Sequence, residues 1–309
     1  MKGTEFPNIN SSMRSNRVDR PRMFADCLAC LARNITKKIP SDAPEEVRRQ
    51  YVQRVYALLA DAPVSASAPL LSREMLHIRE DMFGKQVDYP AIKSYYNRKM
   101  MAYLPKLREE IKKADDPLKR AVQYAACGNY IDFSVPQGVS EEKLEELISA
   151  SENIDVSEEK MKRFCSSLEQ TENLVYLLDN CGEIVLDRLL MEEIRKEYRN
   201  IRITAVVRGG EIMNDVTQAD ADQIELQKVA TVMHNGDDIA GNALDRISDE
   251  AKKVLFSADT ILAKGQGNFE TLGGCGLNVF YLFLCKCDFF SQMFRVPLNT
   301  GMVLHDDEI

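Results

Sequence analysis

The sequence predicts an α/β protein: a three-layer α/β/α fold on a mostly parallel sheet, preceded by an all-α N-terminal region. Three observations carry that expectation. Apolar residues recur at helical spacing through the first half of the chain. Short β-branched runs alternate with amphipathic stretches in the second half. Three of those runs end in polar side chains and glycine. At 309 residues the chain can bury a large core and divide into two regions.

Residues 1–20, rich in Asn, Ser and Arg, read as a flexible tail. The helical region is expected over residues 21–160. Arg48 to Leu59 carries Tyr51, Val52, Val55, Leu58 and Leu59 at the 3.6 period. Leu70 to Phe83, Ile92 to Leu107 and Leu118 to Ala126 follow the same rule, punctuated by Pro63, Pro69, Pro90, Pro105 and Pro117. A polar, partly acidic stretch from Val139 to Lys162 is helical by pattern. The α/β/α domain is expected over residues 161–309. Its strands are Leu174–Leu178, Ile203–Val207, Val229–Met233, Val254–Phe256 and Thr260–Ala263, and its helices Ile184–Tyr198, Gln218–Gln223 and Asp238–Ala251.

Composition excludes several function classes. A net charge of −8 with no long basic run argues against a nucleic-acid partner, because that binding rests on phosphate neutralisation. The longest apolar stretch, Val279 to Cys285, is too short to span a bilayer. The first twenty residues hold no apolar secretory core, so a soluble cytoplasmic protein is expected, with its eight cysteines as thiols or metal ligands.

The chemistry gathers at strand ends. In a parallel sheet the carboxyl ends of adjacent strands share the edge where ligands bind. Asp179 and Asn180 follow the first strand, and Asp215 follows the second through Arg208-Gly209-Gly210. Two carboxylates and a carboxamide oxygen suit a hard divalent cation, although Asp179 and Asp215 as helix caps are an equally open reading. After the fifth strand comes Lys264-Gly265-Gln266-Gly267-Asn268. Glycines there let backbone N–H groups approach an anion and the lysine adds charge, whereas a tight turn needs only one glycine. Neither a P-loop nor a dinucleotide fingerprint fits this run.

Other motifs have plainer readings. Gly128-Asn129 closes a helix, and Asn235-Gly236-Asp237 makes a turn. Cys27-x-x-Cys30 gives only half of a structural zinc site, which Cys285 and Cys287 could complete, and buried helical thiols are the default reading. His77, His234 and His305 show no ligand spacing, and Cys181 has no activating partner.

At these residues the sequence resembles the metal-dependent damage-control phosphatases, a family long catalogued as a domain of unknown function. The resemblance covers most of the chain. It runs through the CxxC, Asp88…Lys93…Asn97, Gly128-Asn129-x-x-Asp132-Phe133, Asp179-Asn180-x-Gly182-Glu183, Gly209-Gly210…Asn214-Asp215, Asn235-Gly236-Asp237 and Lys264-Gly265-Gln266-Gly267-Asn268-Phe269-Glu270. The CxxC points to the prokaryotic branch. The resemblance implies a metal (Mn, Mg, Ni or Co) on Asp179, Asn180 and Asp215, with Asp179, Asp215 and Lys264 catalytic and Lys264 binding phosphate. Asn129, Asp132, Asn180, Asn214, Gly265, Gln266 and Asn268 would line the substrate. Cys181 stands where the family usually has Ala, and Ala240-Gly241-Asn242 replaces Pro-Gly-Thr.

The expected function is hydrolysis of small phosphate esters such as sugar phosphates or damaged phosphometabolites. The attacking group would be either water or Asp179 itself. Two alternatives are a carboxyl methyltransferase using S-adenosylmethionine and a metabolite-binding protein without turnover.

Overall fold

A computed structural model describes residues 24–33, 35–129, 141–154 and 156–309. The expected tail and Asp132 lie outside the described residues. Helices α1 (Ala25–Arg33), α2 (Glu45–Ala60) and α3 (Ala68–Phe83) close a small core of their own around Tyr51, Val55, Leu59, Leu71 and Met75. The stripe on α2 is Tyr51, Val55 and Leu59, four residues apart, as one buried helix face requires.

Helix α4 (Tyr89–Lys113) starts where the Asp88 carboxylate accepts the Ala91 amide at 3.1 Å, with Pro90 in the first turn. It continues through Pro105 and buries Lys93, Tyr96, Asn97, Met100, Leu104, Leu107 and Ile111 along one face. Helices α5 (Pro117–Gly128), α6 (Glu141–Ala150) and α7 (Glu158–Leu168) complete the helical part.

Among the described residues the sheet has six strands: β1 (Asn173–Leu177), β2 (Arg202–Val207), β3 (Thr231–His234), β4 (Thr260–Lys264), β5 (Val279–Leu284) and β6 (Gly301–His305). Their spatial order is β3-β2-β1-β4-β5-β6, parallel except for the antiparallel β6. Side chains alternate between its faces. Leu174, Tyr176, Ile203, Ala205 and Leu262 pack with α4, α5, α7 and α8 (Glu183–Glu197). Val175, Leu177, Val206, Ile261 and Ala263 pack with α10 (Asp249–Phe256), α11 (Gly265–Leu272) and α12 (Asp288–Phe294). Both faces are covered, so the strands are apolar throughout and the architecture is three-layered. The short α9 (Gln218–Gln223) follows β2.

Several expectations are corrected. Val254–Phe256 is not a strand but the end of α10, where Leu255 and Ala251 share a buried face one turn apart. The expected helix over Asp238–Ala251 begins only at Asp249, capped by Ser248. Strands β5 and β6 and helix α12 were not anticipated. Among the described residues no helix is long and apolar enough to cross a membrane.

Strand order reverses between β1 and β4, because the chain leaves β1 toward β2 and leaves β4 toward β5. Such a switch opens a crevice at the carboxyl edge.

Candidate active site

Two segments beyond the sheet meet in that crevice. The Val216 amide donates to the Asp179 carbonyl and the Cys181 amide to the Asn214 carbonyl, both at 2.9 Å, and Asn180 forms a β-bridge with Asp215. This short antiparallel pairing carries Asp179, Asn180 and Asp215 to one place. The loop after β4 supplies the third wall. Gly265 has φ +79°, and a Cβ on it would overlap the Asp179 carboxylate, so glycine is required both for the turn and for the approach.

The oxygens of the trio are only partly claimed. Asp179 Oδ2 accepts Asn180 Nδ2 at 2.6 Å and Asn129 Nδ2 at 3.2 Å. Asp215 Oδ2 accepts Arg208 Nε at 2.8 Å. Asn180 turns its amide nitrogen toward Asp179 and Glu183, and its Oδ1 accepts no hydrogen bond from the described residues; nor does Asp215 Oδ1. Burial, then the charges of Asp215 and Glu183, push the Asp179 carboxyl well above the ordinary range, against Arg208 and Lys286. Burial likewise raises Asp215, with Arg208 opposing it. Two crowded carboxylates and a free amide oxygen are hard donors that a divalent cation would both neutralise and bridge, so this set fits the implied metal.

Arg208 was overlooked by sequence reasoning. It is buried at the end of β2 and pairs with Asp215, while Nη1 donates to the Gly241 carbonyl at 3.1 Å and Asn268 Oδ1 at 3.4 Å. Nη2 lies 3.5 Å from Asp179 Oδ1 without a hydrogen bond. Helix α4 contributes as well. Lys93 Nζ donates to the Asp215 carbonyl at 3.1 Å and pairs with Glu211 and Asp220, both at 2.8 Å. Four residues on, Asn97 Oδ1 accepts the Gly182 amide at 2.7 Å. One helix face thus fixes both loops of the site.

Lys264, expected to bind phosphate, is placed inside the fold. Its ammonium is wholly enclosed and donates to the Ala125 carbonyl at 2.8 Å, Glu183 Oε1 at 2.6 Å and Asp187 Oδ1 at 2.7 Å. An ammonium has three protons, and all are spent. Glu183 in turn accepts from Asn129 and Asn180, which ties this buried cluster to the trio. Asp187 also accepts the Tyr176 hydroxyl at 2.8 Å, its Oδ2 has no partner, and burial pushes its carboxyl up to about 7.

The remaining anticipated residues serve the scaffold. Asn268 donates to the Leu178 and Lys264 carbonyls and accepts Asn242 Nδ2 at 2.7 Å. Gln266 accepts the Lys286 amide and donates to Glu270. Asn129 Oδ1 accepts the Leu284 amide at 3.0 Å. Asn214 is half-buried beside the trio and is joined to it through its backbone. Cys181 is buried, and burial raises its thiol above the ordinary range, the opposite of an activated nucleophile.

Cys27, Cys30, Cys285 and Cys287 are free thiols. Among the described residues no group of three or more His, Cys, Asp or Glu side chains is placed to hold a metal. By the same measure Asp179 and Asp215 number two, with the Asn180 amide oxygen as the third donor.

Comparisons with known proteins agree with this architecture. Residues 23–300 match the damage-control phosphatase ARMT1-like domain. The chain is 32% identical over 286 residues to a damage-control phosphatase of Archaeoglobus fulgidus, covering 89% of this chain and 95% of that one. A damage-control phosphatase of Pyrococcus horikoshii is 31% identical over 283 residues, at 88% and 94% coverage. The crystal structure of a DUF89 family protein from the same organism superposes with a TM-score of 0.73 at 29% identity. The match spans 92% of this chain and 99% of that one.

Proposed function

The chain belongs to the damage-control phosphatase family, and from that premise we propose that it hydrolyses small phosphate monoesters at the crevice between β1 and β4. The observation that carries this reading is the junction of Asp179, Asn180 and Asp215, where Asn180 Oδ1 and Asp215 Oδ1 remain unclaimed. These residues would hold Mn²⁺, Mg²⁺, Ni²⁺ or Co²⁺. A divalent cation bound there supplies positive charge to a phosphoryl oxygen and acidifies an attacking water.

The chain's own groups do the rest. Arg208 opposes the rise that burial imposes on the Asp215 carboxyl and aims it, and Lys93 and Asn97 fix the two loops that carry the trio. Helix α11 begins at Gly265 beside Asp179, so its amide end adds a favourable field for anionic groups in the crevice. The buried Lys264–Glu183–Asp187 cluster holds the Asn129 and Asn180 amides in register with Asp179.

A methyltransferase fits less well, since the only glycine in the turn after β1, Gly182, already gives its amide to Asn97. The test is phosphate release from a panel of sugar phosphates and other monoesters, with each metal in turn and with EDTA. Hydrolysis that EDTA abolishes and a metal restores supports the proposal. No release from any ester with any metal refutes it.

A further inference from the structure

Arginines that are not freely exposed in this fold have an acid to meet, with one exception. Among the described residues each of the others pairs with a carboxylate, from Arg48 with Glu45 to Arg120 with Glu152, Arg188 with Glu192 and Arg208 with Asp215. Arg79 is half-buried on α3, and it forms no ion pair or side-chain hydrogen bond with any described residue.

Its place makes the exception unfavourable. Leu71, Met75 and Phe83 of α3 belong to the small helical core at multiples of four residues, and Arg79 fills the remaining place in that stripe. Its Nε is enclosed and has no acceptor. The ring of Tyr51 meets the Phe83 ring edge-on at 5.4 Å, and the Tyr51 hydroxyl is likewise enclosed without a partner. Burial raises the Tyr51 phenol, with the Arg79 charge opposing, so the phenol stays neutral and gives Arg79 no counter-charge.

A second cation comes to the same place. Lys38 ends the 3₁₀ turn Thr36–Lys38, between Ile35 and Ile39, which are both in the small core. It keeps exposed surface and pairs with no acid among the described residues. Desolvation by the surrounding chain, then the charge of Arg79, lowers its ammonium from the ordinary lysine range, with the Cys30 thiol opposing. Two cations thus share one small unit of a chain whose net charge is −8. Enclosing charge without a partner is unfavourable, and an anion from outside would complete the pair.

We propose that Lys38 and Arg79 form an anion site on the helical region, sharing no residue with the Asp179–Asn180–Asp215 crevice, and that its ligand is a phosphate or phosphomonoester dianion. Arg79 offers the outer N–H groups of a planar fork, and Lys38 a compact charge. A phosphoryl dianion balances both, whereas a carboxylate balances one. No metal takes part, so the site is independent of the hydrolytic reading.

The test uses the full chain in EDTA, with inorganic phosphate as the calorimetric ligand and acetate as the comparison. The metal-free wild type should bind phosphate, and acetate about tenfold more weakly or worse. Lys38→Ala and Arg79→Met should each weaken phosphate about tenfold or more, the worth of one charge-assisted hydrogen bond. Manganese-dependent turnover of p-nitrophenyl phosphate should stay near the wild type in both, because the trio and its supports are intact. Tyr51→Phe should also leave phosphate binding near the wild type, since its hydroxyl is enclosed.

Melting gives a second readout. Arg79→Met removes an uncompensated charge, so without phosphate it should melt above the wild type. With phosphate at about a hundred times the dissociation constant, the wild type should gain about 5 °C and overtake a variant that gains nothing. A metal-free wild type that binds no phosphate, or binding unchanged in both Lys38→Ala and Arg79→Met, would overturn the inference. So would an Arg79→Met variant that melts below the wild type in every buffer, the result expected if an acid of the chain already neutralises Arg79.

Discussion

Replacing Lys264 by Met removes one charge while nearly keeping the side chain's length, and it separates a structural cation from a substrate cation. In the wild type one ammonium faces two carboxylates, Glu183 at 2.6 Å and Asp187 at 2.7 Å, with no exposure of any of the three. Without it, two buried carboxylates lose their cation and the Ala125 carbonyl loses the Lys264 donor. Breaking a buried ion pair from one side costs about 3–5 kcal/mol. At roughly 2–4 °C per kcal/mol for a chain of this size, melting should fall by on the order of 10 °C.

The pH dependence follows from Asp187, whose carboxyl lies at about 7 in the fold, against about 3.9 unfolded. An acid raised in the folded state binds its proton more tightly there, so its contribution to stability declines as pH rises between those two values and is level above them. Lys264 is the main influence opposing that rise. Its loss moves the folded value higher still, so the deficit of Lys264→Met should be greatest near pH 8.5 and should narrow toward pH 5.5. Thermal melts at both pH values give the answer, and Asp187→Asn in the same chain should recover part of the loss. A variant as stable as the wild type at pH 8.5, with weakened phosphate binding, would show that Lys264 meets substrate after all.

Other perturbations separate the parts of the site. Asp179→Asn and Asp215→Asn should abolish turnover and weaken Mn²⁺ binding, followed by calorimetry; the melting temperature should hold or rise in Asp179→Asn, where a buried repulsion is relieved, and fall in Asp215→Asn, which leaves the buried Arg208 without its carboxylate. Asn97→Ala leaves the Gly182 amide without its partner, so it should cost about 1–3 kcal/mol in denaturant unfolding and weaken metal binding about 10–100-fold. Gly265→Ala should destabilise the fold and eliminate metal binding, since φ +79° and the Asp179 carboxylate both exclude a Cβ. Gly84→Ala, at φ +73° with open space around it, should cost only about 1 kcal/mol and leave metal binding intact.

How much of this was legible in the sequence depended on whether a signal was local. Strands β1, β2 and β4 are short apolar runs followed at once by Asp179, Arg208 or Lys264, so both the strand and its functional end lie within a few residues. Strand β5 is equally apolar, yet Val279 to Cys285 reads only as an apolar stretch too short to cross a bilayer, and β6 is an antiparallel edge with only Met302 and Leu304 buried. Val254–Phe256 misled because three apolar residues cannot distinguish a strand from the last turn of a helix.

The role of Lys264 was hidden for a different reason. Sequence shows where a lysine stands but not which acids consume its protons, and those acids are on the preceding crossover helix. A signal was present there: α8 is apolar on nearly every side of its first three turns, and Glu183 and Asp187 sit four residues apart among Ile184, Val185, Leu186, Leu189 and Leu190. Acids on a helix without a wet face must find a cation. The lysine at the end of the adjoining strand pair is within reach of both.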